Sequence, residues 1–216
     1  MKLQLALDVL TLQDALALAR AVEDCVDRLE MGTPFLLEYG MEAVRRFRAA
    51  FPEKEILADT KIMDAGELEA ESAFQAGADL VTVLAATDRD TVRGCLRAAG
   101  RAGGRVVADL ICIEDLAGTA AALEEIGVHG LAVHVGVDQQ ARGRTPLGDL
   151  RALRGCVQRA EISVAGGISL AATPDYCALG PDVLIVGGAI ANAADPAGEA
   201  RAIRQVIARY SGGYSR

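Results

Sequence analysis

Short apolar runs alternate with stretches of helical spacing along the chain. Leu3–Leu7 is a strand-like run closed by Asp8, and Thr11–Asp24 follows with helical periodicity and Thr11 as its cap. Val26–Glu30 reads as the second strand, Glu38–Phe51 as the helix after it, and Glu55–Asp59 leads into a helix beginning near Gly66. Asp79–Leu84 precedes a helix over Asp88–Ala102, and Arg105–Leu110 precedes one over Glu114–Ile126. Gly130–His134 is the sixth strand, followed by a polar, glycine-containing stretch from Val137 to Gly148. Glu161–Val164 and Asp182–Val186 complete the strands, and Pro196–Tyr210 is the last helix.

Eight strand–helix units in 216 residues predict a single α/β domain over residues 1–216, a (β/α)8 TIM barrel. A doubly wound open sheet is the competing architecture. Its glycine fingerprint is missing, because Asp8-Val9-Leu10 follows the first strand where GxGxxG would stand.

Composition narrows the partners. A net charge of −8 tells against a nucleic-acid groove, which needs clustered Lys and Arg. It leaves phosphate open, since backbone N–H groups and a metal can supply a local positive field. With 51% hydrophobic residues and a mean hydropathy of +0.24 the core can be large, yet no apolar run approaches the roughly 18 residues a membrane span needs. Met1-Lys2-Leu3-Gln4 leads straight into a strand rather than a signal peptide, so a cytoplasmic protein is expected. The five cysteines (Cys25, Cys95, Cys112, Cys156 and Cys177) show no CxxC spacing and are expected as small buried residues rather than disulfides or zinc ligands.

In a barrel of this kind chemistry sits at the C-terminal ends of the strands. Asp8, Glu30, Asp59 with Lys61, Asp109 and His134 all fall at such ends, whereas stabilising ion pairs would scatter over both ends. Each has a bland reading beside it. Asp8 could cap a turn, and His134 could be a satisfied core histidine. Glu30 has no basic partner close in sequence, so its carboxylate calls for a metal or a substrate. His129, at the opposite end, reads as structural.

The sharpest motif is Asp59-Thr60-Lys61-Ile62-Met63-Asp64. Strand alternation puts Asp59 and Lys61 on one inward face, where an ammonium among carboxylates stays protonated and can neutralise a developing oxyanion. Asp64 lies past the strand and need not point into its own site. The pairs Gly166-Gly167 and Gly187-Gly188 follow strands seven and eight, where this fold holds phosphate on loop N–H groups.

These segments, with LALD ending at Asp8, Glu30-Met31-Gly32-Thr33-Pro34 and Ser163-Val164-Ala165-Gly166-Gly167, resemble the 3-hexulose-6-phosphate synthase family of the orotidine 5′-monophosphate decarboxylase superfamily. The resemblance runs through Ala73–Val83 to Gly187-Gly188-Ala189-Ile190, essentially the whole chain. It implies an aldehyde-lyase of one-carbon metabolism that condenses formaldehyde with D-ribulose 5-phosphate through a cis-enediolate. Glu30 and Asp59 would ligate Mg²⁺, with Mn²⁺ as the alternative. His134 would be the general base, Lys61 the oxyanion partner, and Asp8 and Asp109 would orient hydroxyls or water. Gly166, Gly167, Gly187 and Gly188 would hold the phosphate. A homodimer with shared sites is implied, the residue matching Asp64 reaching into the partner's site.

The sister family of 3-keto-L-gulonate-6-phosphate decarboxylases shares the acid–lysine framework. It typically carries Glu, Arg, Thr and Arg where this chain has Asp109, Val137, Ala165 and Gly188, so all four positions side with the synthase. A non-catalytic sugar-phosphate-binding barrel would be marked by loss of Asp59, Lys61 or His134, and all three are present. A metal-dependent barrel epimerase would need two inward histidines, where only His134 is so placed.

Overall fold

The computed structural model describes residues 1–211; residues 212–216, included in the single-domain reading, lie outside the described residues. The strands are β1 (Lys2–Leu7), β2 (Arg28–Met31), β3 (Glu55–Ile62), β4 (Leu80–Leu84), β5 (Arg105–Asp109), β6 (Gly130–His134), β7 (Glu161–Ala165) and β8 (Val183–Val186). They pair in parallel and in sequence order, and β8 closes onto β1, which makes the expected eight-stranded barrel.

Among the described residues eleven α-helices surround it: α1 (Leu12–Val22), continued by a 3-10 turn over Glu23–Cys25, α2 (Thr33–Tyr39), α3 (Met41–Ala50), α4 (Gly66–Gln75), α5 (Arg89–Ala102), α6 (Leu116–Ile126), α7 (Val137–Gln140), α8 (Leu147–Arg154), α9 (Thr173–Ala178), α10 (Gly188–Ala191) and α11 (Pro196–Ser211). Side-chain caps match the helix-start signals: Thr11 Oγ1 accepts from the Asp14 amide at 3.1 Å and Asp88 Oδ1 from the Asp90 amide at 2.7 Å.

The helix expected over Glu38–Phe51 is two helices. Pro34 starts α2 earlier, and Gly40 at φ 58° breaks the chain before α3, a left-handed turn that helical periodicity does not register. The polar stretch from Val137 to Gly148 holds α7 and the start of α8, and two further short helices, α9 and α10, follow β7 and β8.

Two apolar layers result. Outward-facing strand residues such as Leu5, Ile56 and Val81 join the helices in the main core, while Leu57, Leu80, Val107 and Ala132 pack inside the barrel. The N-terminal end of the barrel carries its own charges. Arg28, 1% exposed, donates to Glu55 Oε2 at 3.1 Å and to Glu161 Oε1 at 2.9 Å, and Lys2 and Arg105 also pair with Glu55. The ionisable residues expected to converge do so at the opposite end, and this second, paired set at the bottom is one the strand-end reading did not include. The ends differ in balance, since acids and bases are paired at the bottom and carboxylates predominate at the top.

The cysteines are free. Cys95 and Cys177 are buried as expected, but Cys112 is exposed at the barrel mouth, on a loop where it adopts φ 62°. His129 accepts a hydrogen bond from the Val106 amide at 3.1 Å, in keeping with its structural reading. Among the described residues no helix is long and apolar enough to cross a membrane.

Candidate active site

The C-terminal ends of the strands surround a cavity of about 980 Å³. Asp8, Glu30, Asp59, Lys61, Asp109 and His134 line it, as do Gly166, Gly167, Gly187 and Gly188. One predicted residue is missing from the group. Asp64 is exposed, does not line the cavity, and accepts from the Ala65 amide at 2.7 Å, so within one chain it takes no part in the site.

Lys61 reaches the mouth by a less regular route than simple alternation. The β3–β4 register shifts between Ala58 and Ile62, and Lys61 adopts φ 44°, a conformation that L residues rarely take. Its Nζ still meets Asp59 Oδ2 at 2.7 Å and Asp109 Oδ2 at 2.9 Å. Burial alone would lower the pKa of this ammonium, but Asp59 and Asp109 more than reverse that and hold it above the usual lysine range. Lys61 is therefore a fixed cation.

Asp109, 2% exposed, is the hinge of the arrangement. Its Oδ2 faces both Lys61 and His134 Nδ1, the latter at 2.9 Å, and its Oδ1 accepts from the Ile111 amide at 2.9 Å. Burial opposes its ionisation, yet His134 and Lys61 bring its pKa down to about 2. An ionised acceptor at Nδ1 selects the tautomer with hydrogen there, which leaves Nε2 of His134 to take a proton.

Asp59 is held on both oxygens. Thr82 Oγ1 donates to Oδ1 at 2.7 Å, and Thr33 Oγ1 lies 2.9 Å from Oδ2. Glu30 is buried on β2, and its Oε2 accepts from Gln4 Nε2 at 2.6 Å. Burial and the neighbouring Asp59 charge push its pKa up to about 8, against the Gln4 hydrogen bond and Lys61. Asp8 is also raised, by burial within the mouth and by Asp59, with Lys61 and His134 opposing. Four strand-end carboxyl groups thus line the cavity with one ammonium, and burial with mutual repulsion raises the pKa of two of them, Glu30 and Asp8.

That imbalance suits a hard divalent cation. Mg²⁺ takes one or two carboxylates and keeps several waters. Among the described residues no group of three His, Cys, Asp or Glu is placed to hold a metal ion, and the two buried carboxyl groups Glu30 and Asp59, with water, are the donors the mouth could offer one.

The glycines serve close approach. A Cβ on Gly166, at φ 124°, would stand 2.6 Å from the Val135 carbonyl oxygen, and one on Gly167, at φ 65°, would stand 2.8 Å from Gln140 Oε1. Gly32, which the sequence marks only as part of the Glu30–Pro34 motif, makes room for Asp8, since a Cβ there would lie 2.0 Å from Asp8 Oδ1. Gln4, Thr33 and Thr82 were missed as site residues. For Gln4 and Thr82 the available signal was a polar residue inside an apolar strand, in step with Asp8 or facing Asp59.

Residues 1–203 match the Orotidine 5′-phosphate decarboxylase / HUMPS family. Over 210 residues the chain is 44% identical to 3-hexulose-6-phosphate synthase from Mycobacterium gastri, covering 96% of this chain and 100% of that one. The crystal structure of 3-hexulose-6-phosphate synthase from Salmonella typhimurium superposes with a TM-score of 0.95 at 53% identity, covering 97% of this chain and 100% of that one. A ligand-bound crystal structure of KGPDC from Streptococcus mutans superposes with a TM-score of 0.90 at 30% identity, covering 97% of this chain and 98% of that one.

Proposed function

The chain belongs to the Orotidine 5′-phosphate decarboxylase / HUMPS family, and from that premise we propose that it is a 3-hexulose-6-phosphate synthase. It condenses formaldehyde with D-ribulose 5-phosphate to D-arabino-hex-3-ulose 6-phosphate, reversibly. The observation that carries this reading is that Asp109, Val137, Ala165 and Gly188, the positions that separate synthases from decarboxylases, all line the same cavity. The relatives named as synthases, up to 53% identical, support it.

Glu30 and Asp59 would hold Mg²⁺, with Mn²⁺ able to replace it. The bound cation supplies Lewis-acid polarisation of the substrate carbonyl. His134 Nε2 takes the C1 proton, and Asp109 keeps the ring oriented and balances the imidazolium. Lys61 faces the enediolate oxygens as a fixed positive charge. C1 then attacks the formaldehyde carbon, and the alkoxide formed there recovers the proton from His134. Asp8 orients substrate hydroxyls, and the glycines after β7 and β8 admit the phosphate to backbone N–H groups. The working unit is a homodimer in which Asp64 serves the partner's site.

Incubation of the purified protein with Mg²⁺, ribulose 5-phosphate and formaldehyde tests the proposal. Consumption of formaldehyde with formation of a hexulose phosphate is expected. Release of CO₂ from 3-keto-L-gulonate 6-phosphate, with no formaldehyde consumed, would instead assign the sister decarboxylase.

A further inference from the structure

Gln4 lies inside the barrel on β1 and is fully buried, between the charged cluster at the bottom and the carboxylates at the mouth. Its two amide ends face different residues. Oε1 accepts from Arg28 Nη1 at 3.0 Å, and Nε2 donates to Glu30 Oε2 at 2.6 Å. A carboxamide has nearly the same shape either way round, so its orientation depends on its partners. Here Arg28 decides it. A guanidinium can only donate, so it selects the amide oxygen and turns the NH₂ group toward Glu30.

Arg28 is itself fixed from below, through Nε on Glu55 at 3.1 Å and Nη2 on Glu161 at 2.9 Å. A directed line of hydrogen bonds therefore crosses the barrel from its bottom to its mouth. Neighbouring inward positions are filled by Leu57, Leu80 and Val107, so an apolar side chain at position 4 would also close the interior without burying an amide.

We propose that Gln4, oriented by Arg28, is a positioning residue for Glu30, pinning Oε2 and so fixing the face this carboxylate offers to the divalent cation. The proposal rests on the reading of Glu30 as a ligand of that cation. Groups that hold a metal ligand in place from behind commonly affect metal affinity by about 10- to 100-fold.

The test is Mn²⁺ binding without substrate, followed by the electron paramagnetic resonance of free Mn²⁺. The parent is compared with Gln4→Met, Arg28→Lys and Glu30→Gln. Methionine fills the space of Gln4 without its strong donor and acceptor. Arg28→Lys keeps a cation for Glu55 and Glu161 and lies outside the cavity lining, but a single ammonium cannot replace the three separate nitrogens that reach Glu55, Glu161 and Gln4 at once, so Gln4 Oε1 loses its fixed donor. Both are expected to weaken Mn²⁺ binding on the order of tenfold, with far-ultraviolet circular dichroism and cooperative melting as in the parent.

Mn²⁺ affinity within twofold of the parent in both variants, with binding lost in Glu30→Gln, overturns the positioning role and leaves Glu30 as a ligand. Parent-like binding in Glu30→Gln, or no binding in the parent, overturns the ligand reading and the positioning role with it. If Gln4→Met does not fold, Arg28→Lys decides by the same criterion.

Discussion

His134 Nδ1 lies 2.9 Å from Asp109 Oδ2, the same oxygen that Lys61 Nζ approaches at 2.9 Å. One carboxylate oxygen thus sets both the tautomer of His134, the base in the proposed reaction, and the position of the Lys61 ammonium. Asp109→Asn is expected to lower kcat by about 10²-fold, within the range ascribed to a positioned acid–base group. Because Asp109 ionises at about 2, it stays charged above mildly acidic pH, so any fall in rate that the parent shows between pH 7 and 5 is expected to belong to other groups. Steady-state rates at several pH values check this. A variant within threefold of the parent would detach Asp109 from the chemistry.

Gly166 limits what can stand behind the loop after β7, where the proposed reaction places the substrate phosphate. A methyl group at this position would press on the Val135 carbonyl at 2.6 Å, and the φ of 124° is itself unfavourable for alanine. Gly166→Ala is expected to raise the KM for ribulose 5-phosphate at least tenfold, with inorganic phosphate losing its ability to inhibit. Phosphate inhibition unchanged from the parent would place the phosphate elsewhere.

The barrel was legible in the sequence because short apolar runs alternate with helical spacing, and five of the eight runs close on a polar residue. Asp8, Glu30, Asp59, Lys61, Asp109 and His134 were legible for the same reason, and all six line the cavity. Contacts between strands were not. Nothing in the spacing of Gln4, Arg28 and Glu55 announces that they meet, because register across a closed sheet is a property of the assembled barrel. The bulge at Lys61 was equally hidden, since strand alternation assumes the regular backbone that its φ of 44° breaks. Gly40 shows the same limit for helices, as periodicity continues across a break that one positive φ creates.

Asp64 is exposed and away from its own cavity. If it completes the partner's site, a Lys61→Ala chain and an Asp64→Ala chain each retain what the other lacks. Mixed dimers then contain one site with both residues intact. Unfolding and refolding an equimolar mixture is expected to restore about a quarter of parental activity when pairing is random, since half the dimers are mixed and each has one good site. Activity no higher than that of either variant alone would count against sharing.

Glu55 offers a stability test away from the chemistry. Burial opposes its ionisation, but Lys2, Arg28 and Arg105 bring its pKa down to about 2 from an ordinary 4.5. A depressed carboxylate pKa stabilises the fold above the ordinary value, and the benefit fades as pH falls from 4.5 toward 2. Glu55→Gln is expected to lower stability at pH 7 by on the order of 1–2 kcal/mol, a figure kept small because the side chain is partly exposed and Arg28 retains Glu161. Urea midpoints should converge as the pH is lowered from 5 toward 3. A gap that is constant with pH would mean packing rather than charge is at stake.

Glu30 has the opposite sign. Burial and Asp59 raise its pKa to about 8 from an ordinary 4.5, so its contribution to stability is fully present below 4.5 and is lost as pH rises through 8. Without divalent cation, the melting temperature of the parent should therefore fall between pH 5 and 8 more steeply than that of Glu30→Gln, which has no charge to bury, and the two should run parallel above that. A cation that takes the ionised carboxylate must displace its proton. Apparent affinity should then climb nearly tenfold per pH unit below 8 and flatten above it. Calorimetric titration with Mg²⁺ in buffers of different ionisation enthalpy would register close to one proton released per ion at pH 7. Melting temperatures that run parallel for parent and Glu30→Gln in chelator over that whole range, together with no proton release, would show that Glu30 is already ionised and that its burial is compensated some other way.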